Sequence, residues 1–277
     1  MKTSKYKKIT TALSGSFYAS FFPFRGRHFV SKKIVACVFS VGELTEQKAI
    51  ESIRQQRLPV SRLEIIKNVN PISAASNMAL ELAADANFLL WVDADMILDK
   101  HCTEQLLKLA GPNVLYAVAP LRDPVFGKVG YIKLLNMDVV RGLEIKFRDV
   151  LGCDVDFCRQ ANEKGPSLQI ERYTITRRTL GIHHPTYTAQ ELFKKNQVEK
   201  KKRGNHIDRK VLLSMAQKYY KTGNPVLLAG MLGEIFSNPD KSSGESSLHS
   251  GLDNWNKAAE LLGDIPDDVT FGFHDIE

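Results

Sequence analysis

Short apolar runs alternate with helical patterns along the first half of the chain. Residues 33–40 (KIVACVFS) are rich in β-formers without polar alternation, which indicates a strand buried on both faces of a parallel sheet. Two more strands are predicted at 63–67 and 87–92. The spacing of apolar and small residues predicts intervening helices at 45–56 and 73–84. This order predicts an α/β, Rossmann-like half that binds ligands at the carboxyl ends of its strands.

The second half begins with a predicted helix at 103–110 and a strand at 115–120. In residues 121–150, the glycines Gly127, Gly130 and Gly142 predict turns around a short strand and a short helix. A helix is predicted at 154–164, closed by Gly165. Thr188 opens another helix with a capping box that ends in Glu191.

Helix follows helix near the C-terminus, at 208–222, 225–237 and 253–262, with a solvated loop at 238–247. We therefore predict three regions. They are a basic N-terminal extension (1–31), a central α/β domain (32–206) and a helical C-terminal region (207–277).

Composition narrows the class of protein. With 277 residues, 43% of them hydrophobic and 25% charged, the chain can bury a large core. Since no apolar run approaches the ~20 residues that cross a bilayer, we expect a soluble protein. The N-terminus lacks a clear cleavage site, so we expect an extension that packs on the domain or touches a membrane. Four cysteines without metal-ligand spacing, Cys37, Cys102, Cys153 and Cys158, suit a reducing cytoplasm.

A formal charge of +7 favours anionic partners such as a sugar diphosphate, an acidic membrane surface or nucleic acid. No recognised nucleic-acid motif is present, so nucleic acid is not the expected partner. Six Lys and Arg residues lie between 194 and 203. They form either a solvated helix face or a basic segment that closes over a diphosphate or rests on an anionic surface.

Asp93-Ala94-Asp95 directly follows the apolar run FLLWV. Two carboxylates one residue apart, just past a strand, can hold a hard divalent cation whose other ligands are phosphate oxygens and water. The alternative is a solvated turn after a core strand. Because Ser40 and Glu43 follow the first strand and Asn68 follows the second, all three loops are expected to meet in one crevice.

Three segments in this order resemble family 2 glycosyltransferases: FSVGELTEQKAIESIRQQ, NPISAASNMALELAADANFLLWVDADMIL and LGCDVDFCRQANEKG. The resemblance covers about residues 33–204. It implies a GT-A fold, a mostly parallel Rossmann-like sheet flanked by helices, and it does not explain the N-terminal extension or the helical C-terminal appendage. It also implies transfer of a hexosyl group from a nucleotide diphosphate sugar, with a UDP-sugar favoured, to a glycan or other hydroxyl-bearing acceptor. Mn²⁺ or Mg²⁺ is the implied cofactor.

The resemblance also assigns candidate residues. Glu43 lies where the family holds the nucleoside, and Asn77 matches an asparagine of the second helix. His183 and His184 lie where related enzymes carry a histidine that completes the metal site or contacts the diphosphate, and we prefer His183. The alternative is that neither histidine binds metal. The candidate donor-binding residues are Ser40, Glu43, Asn68, Asn77 and Asp93, and the candidate metal ligands are Asp93, Asp95 and His183.

Asp154 falls on the aspartate that serves as general base in inverting members. Its place at the start of a helix favours the ionised form. Asp154 could instead be the N-cap of a surface helix, and Asp156 is the alternative base. The cysteines and the basic charge together lead us to expect a cytoplasmic protein, with the inner membrane face as a candidate contact.

Three departures from the family leave further alternatives open. Asn68 and Asn70 stand where an aspartate usually reads the nucleotide, and Cys153 replaces the acidic residue before the base. The first loop also lacks the usual proline and aromatic residue. Cys153 and the altered first loop leave a nucleotide-sugar-binding module without turnover as a rival hypothesis. A retaining enzyme is a second rival, because the resemblance places an aspartate motif and a histidine in both stereochemical classes. The sugar, the nucleotide, the acceptor and the oligomeric state are not encoded in any motif that we can identify.

Overall fold

The structure is a computed structural model that describes residues 32–150, 152–164, 171–183, 186–204, 206–236, 252–263, 265–266 and 268–276. Four expectations from the sequence fall outside these residues: the N-terminal extension 1–31, the helix-closing Gly165, His184 as a neighbour of the site, and the solvated loop 238–247.

The first half folds as its apolar pattern predicts. Strands β1 (Ile34–Ser40), β2 (Arg62–Lys67) and β3 (Phe88–Asp93) alternate with helices α1 (Glu46–Arg54) and α2 (Ile72–Leu82). β1 pairs in parallel with both β2 and β3. Every residue of β1 is buried, which explains why its sequence shows no polar alternation.

The second half completes a mixed sheet. It adds strands β4 (Met96–Leu98), β5 (Val114–Asp123), β6 (Gly127–Asn136), β7 (Glu171–Ile175) and β8 (Gly181–His183), and helices α3 (Cys102–Leu109), α4 (Met137–Leu143) and α5 (Cys153–Lys164). The strand order is β2-β1-β3-β6-β5-β8-β4, with β7 paired to β5. Four of the seven pairings described within this sheet are parallel. The predicted α/β class, with a mostly parallel sheet flanked by helices, is confirmed.

Residues 121–150 differ from the expectation of a short strand between glycine turns. β5 and β6 are ten-residue strands joined in an antiparallel hairpin. Gly127, with a φ of 78°, lies at the hairpin turn, whereas Gly130 lies within β6 and Gly142 within α4. Only one of the three glycines therefore marks a turn, because tertiary pairing overrides the weak local signal of the other two.

Apolar side chains on the two faces of the sheet form two cores. Val35 and Leu89 point to the face covered by α2, α4 and α5. Ile34 and Leu90 point to the opposite face, which α1 and α3 cover. The alternation along each strand therefore supplies both layers, and the carboxyl ends of β1 and β3 are held between them.

A third core joins the C-terminal helices. It involves α6 (Ala189–Lys202), α7 (Arg209–Thr222), α8 (Val226–Ile235), α9 (Leu252–Leu262), β9 (Thr186–Thr188) and β10 (Thr270–Gly272). A 3₁₀ turn (Phe273–Asp275) follows β10. Tyr187, Phe193 and Phe271 are fully buried within it. This core includes α6, so the helical layer begins before residue 207. The capping box of Thr188 and Glu191 is present as predicted.

Two members of the basic run are structural. Lys200 is buried, and its ammonium donates to the carbonyls of Ile235 (3.0 Å) and Phe236 (3.1 Å) at the end of α8. Arg203 donates to both carboxylate oxygens of buried Glu234, at 2.8 Å each. For these two residues, two predictions are wrong: that they form a solvated helix face, and that they belong to a basic segment that closes over a diphosphate or rests on an anionic surface. Within the described residues, no helix is long and apolar enough to cross a membrane.

Helices α6 and α8 approach each other through glycine. A Cβ on Gly233 would overlap the backbone carbonyl of Phe193, which cannot move without shifting α6. Gly142, in contrast, is exposed in α4 with nothing near a Cβ.

We expect Gly233→Ala to lower the free energy of unfolding by about 1–3 kcal/mol, because it overpacks a helix contact. The matched change Gly142→Ala should raise it by about 0.5 kcal/mol, because alanine is the better helix former. Urea unfolding of both variants measures the two effects. A neutral Gly233→Ala would contradict the close packing of α6 on α8.

Candidate functional site

The Asp93-Ala94-Asp95 loop is held at the carboxyl end of β3 by its middle residue. The amide of Ala94 donates to the carbonyl of Phe39 (2.9 Å), and the hydroxyl of Thr45 donates to the carbonyl of Ala94 (2.9 Å). Both ties come from β1 and the loop after it. Because the backbone of Ala94 is held on both sides, the carboxylates of Asp93 and Asp95 project from one rigid turn.

The side chain of Asp95 lies close to that of His183, which is on a different strand. Its Oδ2 lies 3.6 Å from the Nε2 of His183, and both side chains are mostly buried. The pairing of β4 with β8 creates this contact, since Met96 lies opposite His183 in the register. The second oxygen of Asp95, Oδ1, is buried without a hydrogen-bond partner among the described residues. A buried carboxylate oxygen without a partner marks a place where a ligand or cation fits.

The other ring nitrogen of His183 is held by a carboxylate that the sequence analysis missed. His183 Nδ1 lies 3.1 Å from Oδ2 of Asp123, which also accepts from the Tyr187 hydroxyl at 2.6 Å. The other oxygen of Asp123 accepts the amides of Val125 and Phe126, at 2.8 Å each. Burial raises the pKa of Asp123, but the bonds from His183, Tyr187 and the Phe126 amide outweigh it and hold that pKa below its ordinary value.

This arrangement orients the histidine. A carboxylate on one imidazole nitrogen holds the ring in place and directs the other nitrogen at its target, as is usual for histidines that bind metals. Only one local signal in the sequence points to Asp123, an aspartate at a strand end just before a proline. Tyr187 lies 64 residues further along the chain, so their contact belongs to the tertiary structure.

Asp93 faces a different set of neighbours. Its Oδ1 accepts the indole N–H of Trp91 at 3.1 Å. Burial, then the negative charge of Asp95, raises the pKa of Asp93, while Lys133 acts in the opposite direction. Lys133 lies on β6 opposite Trp91, and its ammonium is 5.6 Å from the centre of the indole ring. Lys133, which has an apolar residue on either side of it in β6, is a second site residue that the sequence analysis missed.

Lys133 also connects the aspartate loop to Asp154. Its ammonium donates to Oδ2 of Asp154 at 2.8 Å. Asp154 is the second residue of α5, in its first turn, and its side chain is 47% exposed. The carboxylate is therefore open to a ligand while one side is held by a cation. The N-cap alternative does not apply, because Asp154 is inside the helix.

Asp156, the alternative base, is fully engaged. Arg148 donates to both of its oxygens at 2.7 Å, and Gln160 donates at 2.9 Å. Arg159 adds a further ion pair. The hydrogen bonds from Arg148 lower the pKa of Asp156 from 3.8 to about 2. Burial acts in the opposite direction, whereas the bonds from Arg159 and Gln160 lower the pKa further. A buried carboxylate with so low a pKa is a poor proton acceptor, so this geometry favours Asp154 as the base.

The first loop forms a hydrogen-bonded ring of its own. Glu43 Oε2 accepts the amide of Val41 at 2.8 Å and lies 3.1 Å from the Ser40 hydroxyl. That hydroxyl is also 2.5 Å from Glu46, which pairs with Lys67 at 2.6 Å. These contacts shape the loop after β1. The role of Ser40 and Glu43 in donor binding stays a prediction.

Asn68 and Asn77 take different places. Asn68 has a φ of 54°, and its amide donates to the carbonyl of Ser40 at 2.9 Å, so it lies beside the first loop. The side chain of Asn77 instead forms two 2.9 Å bonds with the backbone of Phe147. Asn77 therefore fastens the segment before α5 to α2. A direct contact of either asparagine with a nucleotide stays a prediction.

The fit of a divalent cation depends on the donors present. Within the described ranges, no group of three or more His, Cys, Asp and Glu side chains is arranged to hold a metal ion by itself. The predicted set of Asp93, Asp95 and His183 thus does not form a complete protein cage. Asp95 Oδ1, without a partner, and the oriented imidazole of His183 supply two donors. That pair fits a cation which takes its remaining ligands from a diphosphate and water.

No protein-family model matches the chain, and no curated protein matches it significantly. Solved structures do match. The structure of S. aureus TarS 1-349 with UDP-GlcNAc has 12% identity and a TM-score of 0.43, over 83% of this chain and 80% of that one. The glycosyltransferase involved in glycosylation of the major capsid of PBCV-1 has 12% identity and a TM-score of 0.34, over 55% and 93%.

A197 from STIV has 11% identity and a TM-score of 0.38, over 52% of this chain and 81% of that one. The neighbours include a protein named as a glycosyltransferase, the class that the sequence resembles. All three TM-scores are below 0.5. The function proposed below is therefore based on the geometry of the site and not on these similarities.

Proposed function

We propose that the chain is a glycosyltransferase that moves a hexosyl group from a nucleoside diphosphate sugar to an acceptor hydroxyl. The observation that carries the proposal is the buried, unpartnered oxygen of Asp95 beside His183, whose ring is oriented by Asp123 and Tyr187. A site prepared in this way at the carboxyl end of a parallel strand is suited to a metal-bound diphosphate.

On the donor side, Asp95 and His183 would hold the cation, Mn²⁺ or Mg²⁺. When bound, a divalent cation offsets the charge that develops on a diphosphate leaving group. Asp93 is oriented by Trp91 beside this pair and is assigned to the sugar or ribose of the donor. The loop of Ser40 and Glu43 is assigned to the nucleoside.

On the acceptor side, Asp154 is the base and Lys133 its positioning residue. The acceptor oxygen attacks the anomeric carbon, the bond from that carbon to the diphosphate oxygen breaks, and the acceptor proton moves to the Asp154 carboxylate. If Asp154 acts only as the base, the reaction is a single displacement, which inverts the configuration at the anomeric carbon. Lys133 holds one oxygen of the Asp154 carboxylate through the 2.8 Å ion pair. Because Lys133 also acts on Asp93, the same cation links the donor and acceptor sides.

The donor assignment is tested by calorimetric titration of the full chain with UDP, GDP, CDP and dTDP, each with and without manganese. We expect metal-dependent binding of one diphosphate, with UDP favoured. Asp95→Asn should weaken it about 100-fold, because the carboxylate charge that attracts the cation is lost.

Asp99→Asn, a carboxylate change in the turn after β4, is the matched control and should bind as the unaltered chain does. Binding of no diphosphate, or equal binding by Asp95→Asn, would contradict the donor site. Binding without transfer or hydrolysis would favour the module without turnover.

The base assignment is tested by comparing Asp154 with Asp156. We expect Asp154→Asn to lower kcat by about 10²–10⁴-fold with the diphosphate affinity unchanged, since only proton transfer is removed. Initial rates and calorimetry separate the two effects. Full activity of Asp154→Asn would end its assignment as base.

Asp156→Asn should behave in the opposite way. It should keep activity per folded molecule but lose about 2 kcal/mol of unfolding free energy at pH 7, from the lowered pKa of Asp156. A lowered folded-state pKa stabilises the protein above the unfolded value of 3.8 and stops doing so as pH falls to about 2. Urea unfolding should therefore show the deficit undiminished at pH 5 and shrinking below pH 4.

A further inference from the structure

A cleft of about 310 Å³ opens beside Asp154, and nothing in the donor site accounts for it. Lys133 and Asp154 form part of its lining, so one part of the cleft is polar and adjoins the proposed base. The rest of the lining is mainly apolar. A cleft of this size lies near the lower end of the ~300–1,000 Å³ that is typical of small-molecule sites.

Tyr116 supplies a polar group in this cleft. The residue is 3% exposed, and its hydroxyl has no hydrogen-bond partner in the part of the chain that the structure describes. Burial, followed by the nearby groups of Cys158 and Asp154, raises the pKa of Tyr116 well above its ordinary value. The hydroxyl therefore keeps its proton and can donate to a ligand. A buried hydroxyl that finds no partner in the protein favours a ligand that provides one.

Aliphatic side chains form the remaining walls. Val155 is 71% exposed and Ile175 is 48% exposed, although both line the cleft, and Val118 lies buried behind them. Exposed aliphatic groups around a concave site are the surface that an apolar part of a ligand covers on binding.

We propose that this cleft is the acceptor site and that it selects an acceptor with an apolar ring or branched aliphatic group beside the reacting hydroxyl. The hydroxyl lies at Asp154, a polar atom of the acceptor accepts from Tyr116, and the apolar group covers Val155 and Ile175. The proposal rests on the proposed function for the identity of the reaction. The small volume suits a group of about one ring.

The thiol of Cys158 provides a chemical probe of whether a compound occupies the cleft. It lines the cleft and is partly exposed, whereas Cys37, Cys102 and Cys153 are buried. Burial raises the pKa of Cys37 to about 12, which suppresses its reactivity. Alkylation of the full chain by iodoacetamide, followed by intact mass, therefore reports on the cleft. Cys158→Ser identifies the reacting thiol.

The probes are phenyl β-glucoside and methyl β-glucoside, which share their hydroxyls and differ in the apolar group. We expect the phenyl compound to protect Cys158 at an about tenfold lower concentration, because its ring covers the aliphatic wall. Ile175→Ser should remove most of this difference. Leu213→Ser is the matched control, since Leu213 is 62% exposed on α7 and does not line the cleft.

Equal protection by the two glucosides, or an unchanged difference in Ile175→Ser, would overturn the proposal. Calorimetry on the same samples separates this failure from failure of the proposed function. If diphosphate binding persists, only the acceptor class is wrong. If protection depends on Ile175 but no diphosphate binds, the transferase assignment is wrong, and the acceptor role of the cleft is wrong with it.

Discussion

The buried carboxylate of Asp123 holds together three parts of the chain that are distant in sequence. It accepts the amides of Val125 and Phe126 at the end of β5, the imidazole of His183 on β8, and the hydroxyl of Tyr187 on β9. A buried charge is tolerated only when it is fully hydrogen-bonded, so these bonds depend on one another. Tyr187 is also part of the C-terminal core, which therefore helps to orient a histidine in the site.

The charges of the site explain how it could receive an anion. Asp93 and Asp95 follow the same strand, and their carboxylates would repel a diphosphate if they faced it alone. A divalent cation at Asp95 and His183 would offset that repulsion, and Lys133 supplies a positive charge that acts on both Asp93 and Asp154. Donor binding and acceptor activation would thus share a small set of charges, which fits single displacement better than two separate sites.

Local pattern predicts one part of this molecule well. The order from β1 to β3 follows from uninterrupted apolar strands and helical spacing, and the aspartate loop follows from its position after β3. The full length of the β5–β6 hairpin is not evident from the sequence, because Gly130 and Lys133 interrupt the apolar pattern of β6. Asp123 and Tyr187 could not be linked from sequence, and only the contacts with Arg148 and Arg159 distinguish Asp156 from Asp154.

The central claim is that Asp95 and His183 hold a metal-bound diphosphate. A crystal structure of the full chain with manganese and the diphosphate that binds best, with the anomalous signal of manganese, tests it most directly. We predict one manganese about 2.1 Å from Asp95 Oδ1 and from His183 Nε2, with diphosphate oxygens completing its ligands. A diphosphate bound with no metal near Asp95, or manganese bound elsewhere, would contradict the account.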